Sequence, residues 1–174
     1  HIPAGYFKTM HNPKVDWCYK TEPDPGLNNR TIDWPRGKTL GGSSSINGLL
    51  YVRGQHADYN HWRQLGNAGW ASDDVLPYFK RSEKQERGED EYHGEDGPLH
   101  VSNKQVERNI CSALISAAEE LGIPRNDDFN GATQEGAGYY QMTSKKGRRC
   151  STAVGYLNPV RARPNLTIIT HAHA

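Results

Sequence analysis

The sequence predicts a fold with both helices and strands, of the α/β or α+β class, with long loops. Its hydrophobic fraction of 34% is low for a globular protein, and the 174 residues include 18 glycines and 10 prolines. Apolar residues recur at helical spacing over residues 106–121, and the β-branched run LTIIT at 166–170 predicts a strand. This profile favours either a chain rich in loops or a part of a larger protein whose other segments complete the core.

The first third of the chain predicts irregular structure followed by a capped helix. Residues 1–36 show little periodicity, and turns are expected at the PDPG run 23–26 and at Asn28-Asn29. The small, apolar segment 43–53 (SSSINGLLYVR) begins with serines, whose hydroxyl groups cap helix N-termini. We therefore expect residues 43–53 to form a helix.

Two short helices and an exposed loop are expected next. The first runs from Asp58 to Leu65 and ends at Gly66. The second begins at a Ser72 cap, and its apolar side consists of Val75, Leu76 and Phe79. The charged stretch 82–97 predicts an exposed loop.

The clearest helix in the sequence runs from Val106 to Leu121 and is ended by Gly122 and Pro124. Its apolar side is expected to pack in the core rather than to bind a partner. A turn-rich stretch at 127–138 follows.

Two further elements are expected near the end of the sequence. Ser151 is expected to cap a helix through Leu157, and Leu166–Thr170 is expected to form a strand. Because no partner strand follows it, this strand favours a chain that continues beyond Ala174.

Charge and cysteine content exclude several classes of function. The 21 basic and 20 acidic residues are interspersed, so neither a nucleic-acid partner nor a membrane surface is indicated. The cysteines Cys18, Cys111 and Cys150 are far apart and form no CxxC pair, which argues against a disulfide framework and favours the cytoplasm. No stretch approaches the ~20 apolar residues of a membrane span. The sequence does not indicate an oligomeric state.

The histidines do not predict a metal site. His56 and His61 are five residues apart, and His171 and His173 would share one face of a strand, but no acidic or cysteine partner completes a ligand set. His93 and His100 are expected to flank an exposed hairpin. A serine hydrolase is also poorly supported, because no GxSxG motif occurs.

The segment RGKTLGGSSSING at 36–48 is the best candidate for chemistry. Glycine lets a backbone approach a ligand closely, and serines at the start of a helix leave free N–H groups that favour an anion. Such a segment can hold a phosphate or the polar rim of a cofactor, and it can equally be a plain turn. It is not a P-loop, because Ile32 occupies the required first glycine position, and no GxGxxG fingerprint occurs in the chain.

The longer run GKTLGGSSSINGLLYVRGQHADYN resembles the first signature of the glucose–methanol–choline (GMC) oxidoreductases. Further similarity follows in family order. It includes WRQLGNAGW, DVLPYFKRSE, HGEDGPLHV, NDDFNG, EGAGYYQ, GRRCSTAVGYL and RPNLTIIT, which are similar to choline-dehydrogenase-like members. The resemblance implies an α/β parent fold, a Rossmann-like FAD/NAD(P)-binding domain with an α+β substrate domain. This chain would be an internal part: about 36–65 as flavin-contacting loop and helix, about 66–165 as linking and substrate region, and 166–171 as terminal strand.

The resemblance also implies which residues contact FAD. In relatives this loop packs along the flavin, and the corresponding positions here are Thr39, Gly41, Gly42, Ser43, Asn47, Gly48, Leu49 and Leu50. Asn47 can give and accept hydrogen bonds at the polar edge of the isoalloxazine, or it can merely cap a turn. Some relatives have a flavin-linked His directly before this Asn. Here that residue is Ile46, so non-covalent FAD is expected.

The implied reaction is the oxidation of an alcohol, choline or another primary alcohol, to the aldehyde with hydride transfer to flavin. In the family the GxGxxG fingerprint lies upstream and the catalytic histidine lies near the C-terminus, so no residue here is expected to be catalytic. The alternative hypothesis is a non-catalytic, stand-alone module that binds a nucleotide or a protein surface.

Overall fold

The computed structural model describes residues 2–172, which contain three α-helices and eight short strands. The helices are α1 (His56–Gln64), α2 (Ser72–Ser82) and α3 (Asn109–Glu120). The strands are β1 (Tyr19–Lys20), β2 (Asp33–Trp34), β3 (Leu50–Tyr51), β4 (Glu83–Gln85), β5 (Leu99–Val101), β6 (Gln141–Met142), β7 (Ser144–Lys145) and β8 (Arg148–Arg149). Tighter helical turns occur at Pro3–Lys8, Pro25–Leu27, Gly42–Ser45 and Asn158–Val160, and Ala153–Leu157 is a π-helical turn.

The strands pair two by two and place distant segments side by side. Strands β1–β2, β3–β6 and β7–β8 are antiparallel, and β4–β5 is parallel. Leu50 lies opposite Met142, and a bridge between Ser102 and Met142 connects β5 to β6. Strands β4, β5, β6 and β3 therefore follow one another through the middle of the molecule.

The interior is unusually polar. The buried apolar residues are Ile46, Leu49, Ala71, Val101, Ile115, Phe129 and Cys150. They are outnumbered by the buried polar residues, which are Asp16, Glu83, Gln85, His93, Ser102, Asn130, Gln141, Ser144, Arg149 and Ser151. Because a buried polar group without a partner is costly, this interior depends on internal hydrogen bonds and ion pairs.

The two turns predicted near the start of the chain and the cap predicted at Ser151 are confirmed. The Asp24 carboxylate accepts a hydrogen bond from the Gly26 N–H at 2.8 Å, and Asn28 and Asn29 both adopt positive φ angles. The Ser151 Oγ accepts a bond from the Val154 N–H, so the expected cap is present.

The two short helices are confirmed, with different caps. Helix α1 begins at His56, two residues before the expected start, because the Asp58 carboxylate accepts a bond from the Gln55 N–H. In α2, Ala71 rather than Ser72 precedes the first turn, and its N–H donates to Asp74.

The helix predicted over 43–53 is wrong. Only Gly42–Ser45 forms a tight helical turn, and Leu50–Tyr51 is a strand. Serine hydroxyls bond back to the chain here, since Ser45 Oγ donates to Leu40 O at 2.8 Å. Such local bonds compete with a continuing helix, and pairing with β6 favours an extended backbone.

Two predictions for the second half are also wrong. Residues 166–170 form no strand, because no partner strand pairs with them within the part of the chain that the structure describes. A helix is confirmed here, but α3 begins at Asn109 rather than Val106, because Arg108 has an extended backbone. Its apolar side does not form a core: only Ile115 is buried, while Ile110, Leu114 and Leu121 are 74%, 71% and 82% exposed.

The charged stretch 82–97 is not simply an exposed loop. Residues Glu83, Gln85 and His93 are buried, and β4 lies inside this stretch. His93 and His100 do not flank a hairpin either, because β4 and β5 are parallel. Polar side chains are buried here because they satisfy one another.

Candidate functional site

The candidate segment contains a turn at Gly41 and Gly42, and these two glycines have different surroundings. Gly41 and Gly42 have φ angles of 87° and 54°, in the left-handed region that favours glycine. A Cβ on Gly41 would meet Ser45 Oγ at 2.6 Å and Ala153 at 3.1 Å. A Cβ on Gly42 would meet nothing within 4 Å. Gly41 is therefore required by the packing of the chain itself, whereas Gly42 presents an open backbone surface.

Residues from the far end of the chain hold the start of this segment. The Thr152 N–H donates to Ser44 Oγ at 3.0 Å, and Thr152 Oγ1 donates to Gly41 O at 3.2 Å. Ser44 Oγ also donates to Gly41 O. The glycine turn is therefore fixed from both sides, although Ser44 and Thr152 are 108 residues apart.

A buried arginine holds the middle of the segment. Arg149 Nη1 donates to Ser44 O at 3.0 Å and to Asn47 Oδ1 at 2.7 Å, and its Nη2 donates to Asn47 O at 2.6 Å. Burial lowers the pKa of the Arg149 guanidinium, but an arginine still carries its charge in a protein. One cation therefore fixes both the backbone and the side chain of Asn47.

The end of the segment turns its side chains alternately inward and outward. Leu49 is buried and has a φ angle of 67°, and its carbonyl oxygen accepts from the Thr143 N–H at 2.9 Å. Leu50 is 59% exposed at the start of β3. A ligand on the outer face of the segment would meet the side chain of Leu50 but not that of Leu49.

The eight residues predicted as cofactor contacts share one continuous segment but differ in accessibility. Thr39, Asn47, Gly48 and Leu50 are exposed, Gly41, Gly42 and Ser43 are half-buried, and Leu49 is buried. Sequence reasoning missed Arg149 and Thr152. Both lie in the GRRCSTAVGYL stretch, but no local signal distinguishes the buried Arg149 from the exposed Arg148.

A groove lies beside Thr39. Its volume is ≈ 810 Å³, and it is lined by Lys14, Trp17, residues 37–40 and residues 169–172. The Lys38 ammonium lies 4.7 Å from the centre of the Trp17 ring, a cation–π contact at the wall of this groove. Binding sites for small molecules commonly have volumes of ~300–1,000 Å³, so the groove is of a suitable size.

A buried charge cluster lies next to the outgoing end of the segment. Arg53 Nη2 is 2.6 Å from Glu83 Oε2, His93 Nδ1 is 3.0 Å from the same oxygen, and His93 Nε2 is 2.9 Å from Asp128 Oδ2. Burial alone would lower the pKa of His93, but hydrogen bonds to Asp128 and Glu83 outweigh it and raise the pKa to about 9. Both ring nitrogens face carboxylates and both donate, so His93 is an imidazolium at neutral pH.

This cluster is tied to the backbone that follows β3. The Arg53 N–H donates to Asn130 Oδ1 at 2.7 Å, and Asn130 Nδ2 donates to Tyr51 O at 3.1 Å. Gln134 Nε2 donates to Arg53 O at 2.8 Å. The side-chain amides of Asn130 and Gln134 thus bond the backbone of Tyr51 and Arg53 as a neighbouring strand would, and they fix the chain just after the candidate segment.

Neither a metal centre nor a membrane span is found in residues 2–172. They contain no group of three or more His, Cys, Asp or Glu side chains placed to hold a metal ion. Every helix among these residues is too short or too polar to cross a bilayer. His173, paired with His171 in one metal hypothesis, lies outside the described residues.

Comparison with known proteins places the chain among flavoenzyme sequences. A family model described as GMC oxidoreductase matches residues 4–174. The chain is 48% identical over 168 residues to an oxygen-dependent choline dehydrogenase from Sinorhizobium fredii. The aligned region covers 97% of this chain and 31% of that protein. This chain thus spans about a third of the length of that relative.

Solved structures share the fold. Pyridoxine 4-oxidase from Mesorbium loti superposes with a TM-score of 0.90 at 33% identity, over 97% of this chain and 33% of that one. An FAD-dependent oxidoreductase from Chaetomium thermophilum superposes with a TM-score of 0.80 at 28% identity, over 89% of this chain and 29% of that one. These superpositions confirm the predicted α/β fold class.

Proposed function

Because the chain belongs to the GMC oxidoreductase family, we propose that it is part of an FAD-dependent enzyme that oxidises the CH–OH group of an alcohol to the aldehyde. The proposed substrate is choline or another primary alcohol, which the similarity to choline dehydrogenases supports. The family match favours this hypothesis over that of a non-catalytic binding module. The free cysteines Cys18, Cys111 and Cys150 fit the proposed cytoplasmic location.

The observation that carries the proposal is the open outer face of the Gly41–Leu50 segment. Positions 42 and 48 each have free space where a Cβ would stand, so the backbone there can be approached closely. Between them the side chain of Asn47 is exposed, and Leu50 adds an exposed apolar surface. A flat ring system with polar edges fits this combination of close backbone approach, amide and aliphatic side chain.

In the proposal, each predicted residue has a distinct part in holding FAD. Gly41, Gly42, Ser43 and Gly48 contribute backbone, and Asn47 and Leu50 contribute side chains. Leu49 contributes only its backbone because its side chain is buried, and Thr39 contacts the cofactor from the rim of the groove. The bound FAD would supply the two-electron acceptor for the hydride of the carbinol carbon, and the residues named here would hold and orient it.

The chain itself is proposed to bind and orient rather than to transfer protons. Among the histidines that the structure describes, His93 has the most strongly shifted pKa, but it is already protonated at neutral pH and cannot accept a proton from an alcohol. We therefore assign no catalytic residue to this chain. Ile46 is buried and has no nucleophilic atom, which supports non-covalent FAD.

The test is the ratio of flavin to protein in the full-length enzyme after gel filtration, compared for Gly42→Val and Gly122→Val. Both glycines have positive φ angles, 54° and 82°, and open space at the Cβ position, so both substitutions impose similar backbone strain. Gly122 follows α3, outside the candidate segment. We expect Gly42→Val to lose flavin and Gly122→Val to keep it. Equal retention in both variants would place the flavin elsewhere.

A further inference from the structure

The side-chain amide of Asn47 has only one orientation that fits its neighbours. The atom at 2.7 Å from Arg149 Nη1 also lies 3.1 Å from the Leu49 backbone nitrogen. A guanidinium and a backbone N–H can only donate hydrogen bonds, so the atom between them must be the acceptor Oδ1. The Nδ2 group is therefore the free end of the amide, and within residues 2–172 no acceptor is bonded to it.

Arg149 is well suited to fix this orientation. Its side chain is buried, and its planar guanidinium holds Asn47 through both Oδ1 and the backbone oxygen. Among the described residues, no carboxylate forms an ion pair with it, so its hydrogen-bonding capacity is directed at carbonyl and amide oxygens. Charge-assisted bonds of this kind are stronger than those between neutral groups. Rotation of the Asn47 amide would place its NH₂ group against these donors.

We propose that Arg149 is a positioning residue that locks the Asn47 amide with Nδ2 facing the ligand, so that this position presents a donor and selects a ligand atom that is an acceptor. This inference rests on the proposed function. A ring carbonyl oxygen or an unprotonated ring nitrogen of a flat heteroaromatic cofactor has the required chemistry. A ring N–H does not have this chemistry, because it needs an acceptor and Asn47 Oδ1 already accepts hydrogen bonds from Arg149 and Leu49.

An isosteric substitution removes the Nδ2 donor of Asn47 while keeping the hydrogen bonds that hold the loop. In Asn47→Asp, one carboxylate oxygen keeps the bonds from Arg149 and Leu49, and the other replaces Nδ2 with an acceptor. The full-length apoprotein of this variant should unfold at the same temperature as wild type or higher, because a salt bridge to Arg149 replaces a neutral contact. Its affinity for FAD, measured by fluorescence titration, should fall by roughly tenfold or more, because one hydrogen bond is lost and acceptors face each other.

A double-mutant cycle tests whether Arg149 sets the orientation. In Arg149→Met the amide can turn, so adding Asn47→Asp should weaken FAD binding only about threefold. If Arg149→Met does not fold, Arg149→Lys takes its place, since a single ammonium cannot hold Oδ1 and the backbone oxygen in the geometry of the guanidinium. Arg148→Met is the matched control, because Arg148 is the exposed neighbour in β8 and should change FAD affinity less than twofold.

The outcomes separate this inference from the proposed function. If Gly42→Val abolishes FAD binding but Asn47→Asp has no effect, or its effect is the same in both Arg149 backgrounds, the Arg149 inference is wrong and the flavin segment stands. If Gly42→Val leaves FAD affinity at the wild-type value, the segment is not the cofactor site and both fail. If Asn47→Asp weakens FAD binding by tenfold or more with Arg149 present but only about threefold in Arg149→Met, the two residues are coupled and both proposals are supported.

Discussion

Replacing His93 with glutamine should destabilise the full-length protein in a pH-dependent manner. His93 lies between Glu83 and Asp128, with both ring nitrogens within 3.0 Å of a carboxylate oxygen. Burial acts to lower the pKa of His93, and the two hydrogen-bonded carboxylates overcome it and raise the pKa to about 9. Glutamine keeps a donor but has no charge, so Asp128 loses its cationic partner.

The size and sign of the effect follow from linkage. A histidine in an unfolded chain titrates near 6.5, so a folded pKa of about 9 corresponds to about 3 kcal/mol of stability. The folded pKa is raised, so this contribution is fully present below about pH 6.5 and is lost as the pH rises through about 9. Burial acts to raise the pKa of Asp128, but hydrogen bonds from His93 and from the Asn130 N–H lower it, so the contribution of Asp128 to stability is lost only in acid.

The assay is urea unfolding followed by tryptophan fluorescence, for wild type and His93→Gln, between pH 6 and pH 10. The difference in free energy of unfolding should be largest near pH 6 and should shrink by about 3 kcal/mol towards pH 10. His100→Gln is the control. Burial lowers the pKa of His100 below its ordinary value, helped by Lys145 and Lys84, so the imidazole is largely neutral above pH 7. Over that range its substitution should have a pH-independent effect. If the difference in free energy of unfolding between wild type and His93→Gln does not change with pH, His93 is not an imidazolium in the folded protein.

Three further outcomes are expected. Gly41→Ala should lower the melting temperature of the full-length apoprotein more than Gly122→Ala, because only the Cβ at 41 meets other atoms within 4 Å; equal shifts would contradict the packing role of Gly41. The 174-residue chain alone should show no dye-coupled oxidation of choline or simple alcohols above a no-protein control, because the family resemblance places the catalytic histidine outside it, and clear turnover would overturn this view. Acid precipitation of the full-length enzyme should release yellow flavin into the supernatant, because Ile46 cannot form a covalent link; flavin that stays in the pellet would show that the proposed non-covalent binding is wrong.

The candidate segment could be delimited from the sequence because it is local. Thr39 to Leu50 are contiguous, so their grouping follows from the chain alone, and the glycine and serine pattern predicted a turn that the backbone adopts. The helix predicted over 43–53 was wrong because serine hydroxyls bond back to carbonyl groups and because Leu50 pairs with Met142 of β6, which is 92 residues away. The residues around Leu50 give no indication that it pairs with such a distant strand.

The supporting residues could not be predicted for a related reason. Arg148 and Arg149 are adjacent and identical in type, and only the alternation of side chains in β8 buries one of them. Glu83 and His93 were assigned to an exposed loop because they are polar. Their burial depends on partners such as Arg53 and Asp128, which are 30 and 35 residues away, and composition does not reveal such pairs.

The central claim is that the Gly41–Leu50 segment holds FAD with its backbone and with a donor from Asn47. A crystal structure of the full-length enzyme with FAD tests it most directly. We expect Asn47 Nδ2 within hydrogen-bonding distance of a ring acceptor of the flavin, Oδ1 still bonded to Arg149, and the cofactor in close contact with the backbone of Gly42. Flavin bound away from this segment, or Asn47 facing it with Oδ1, would contradict the account.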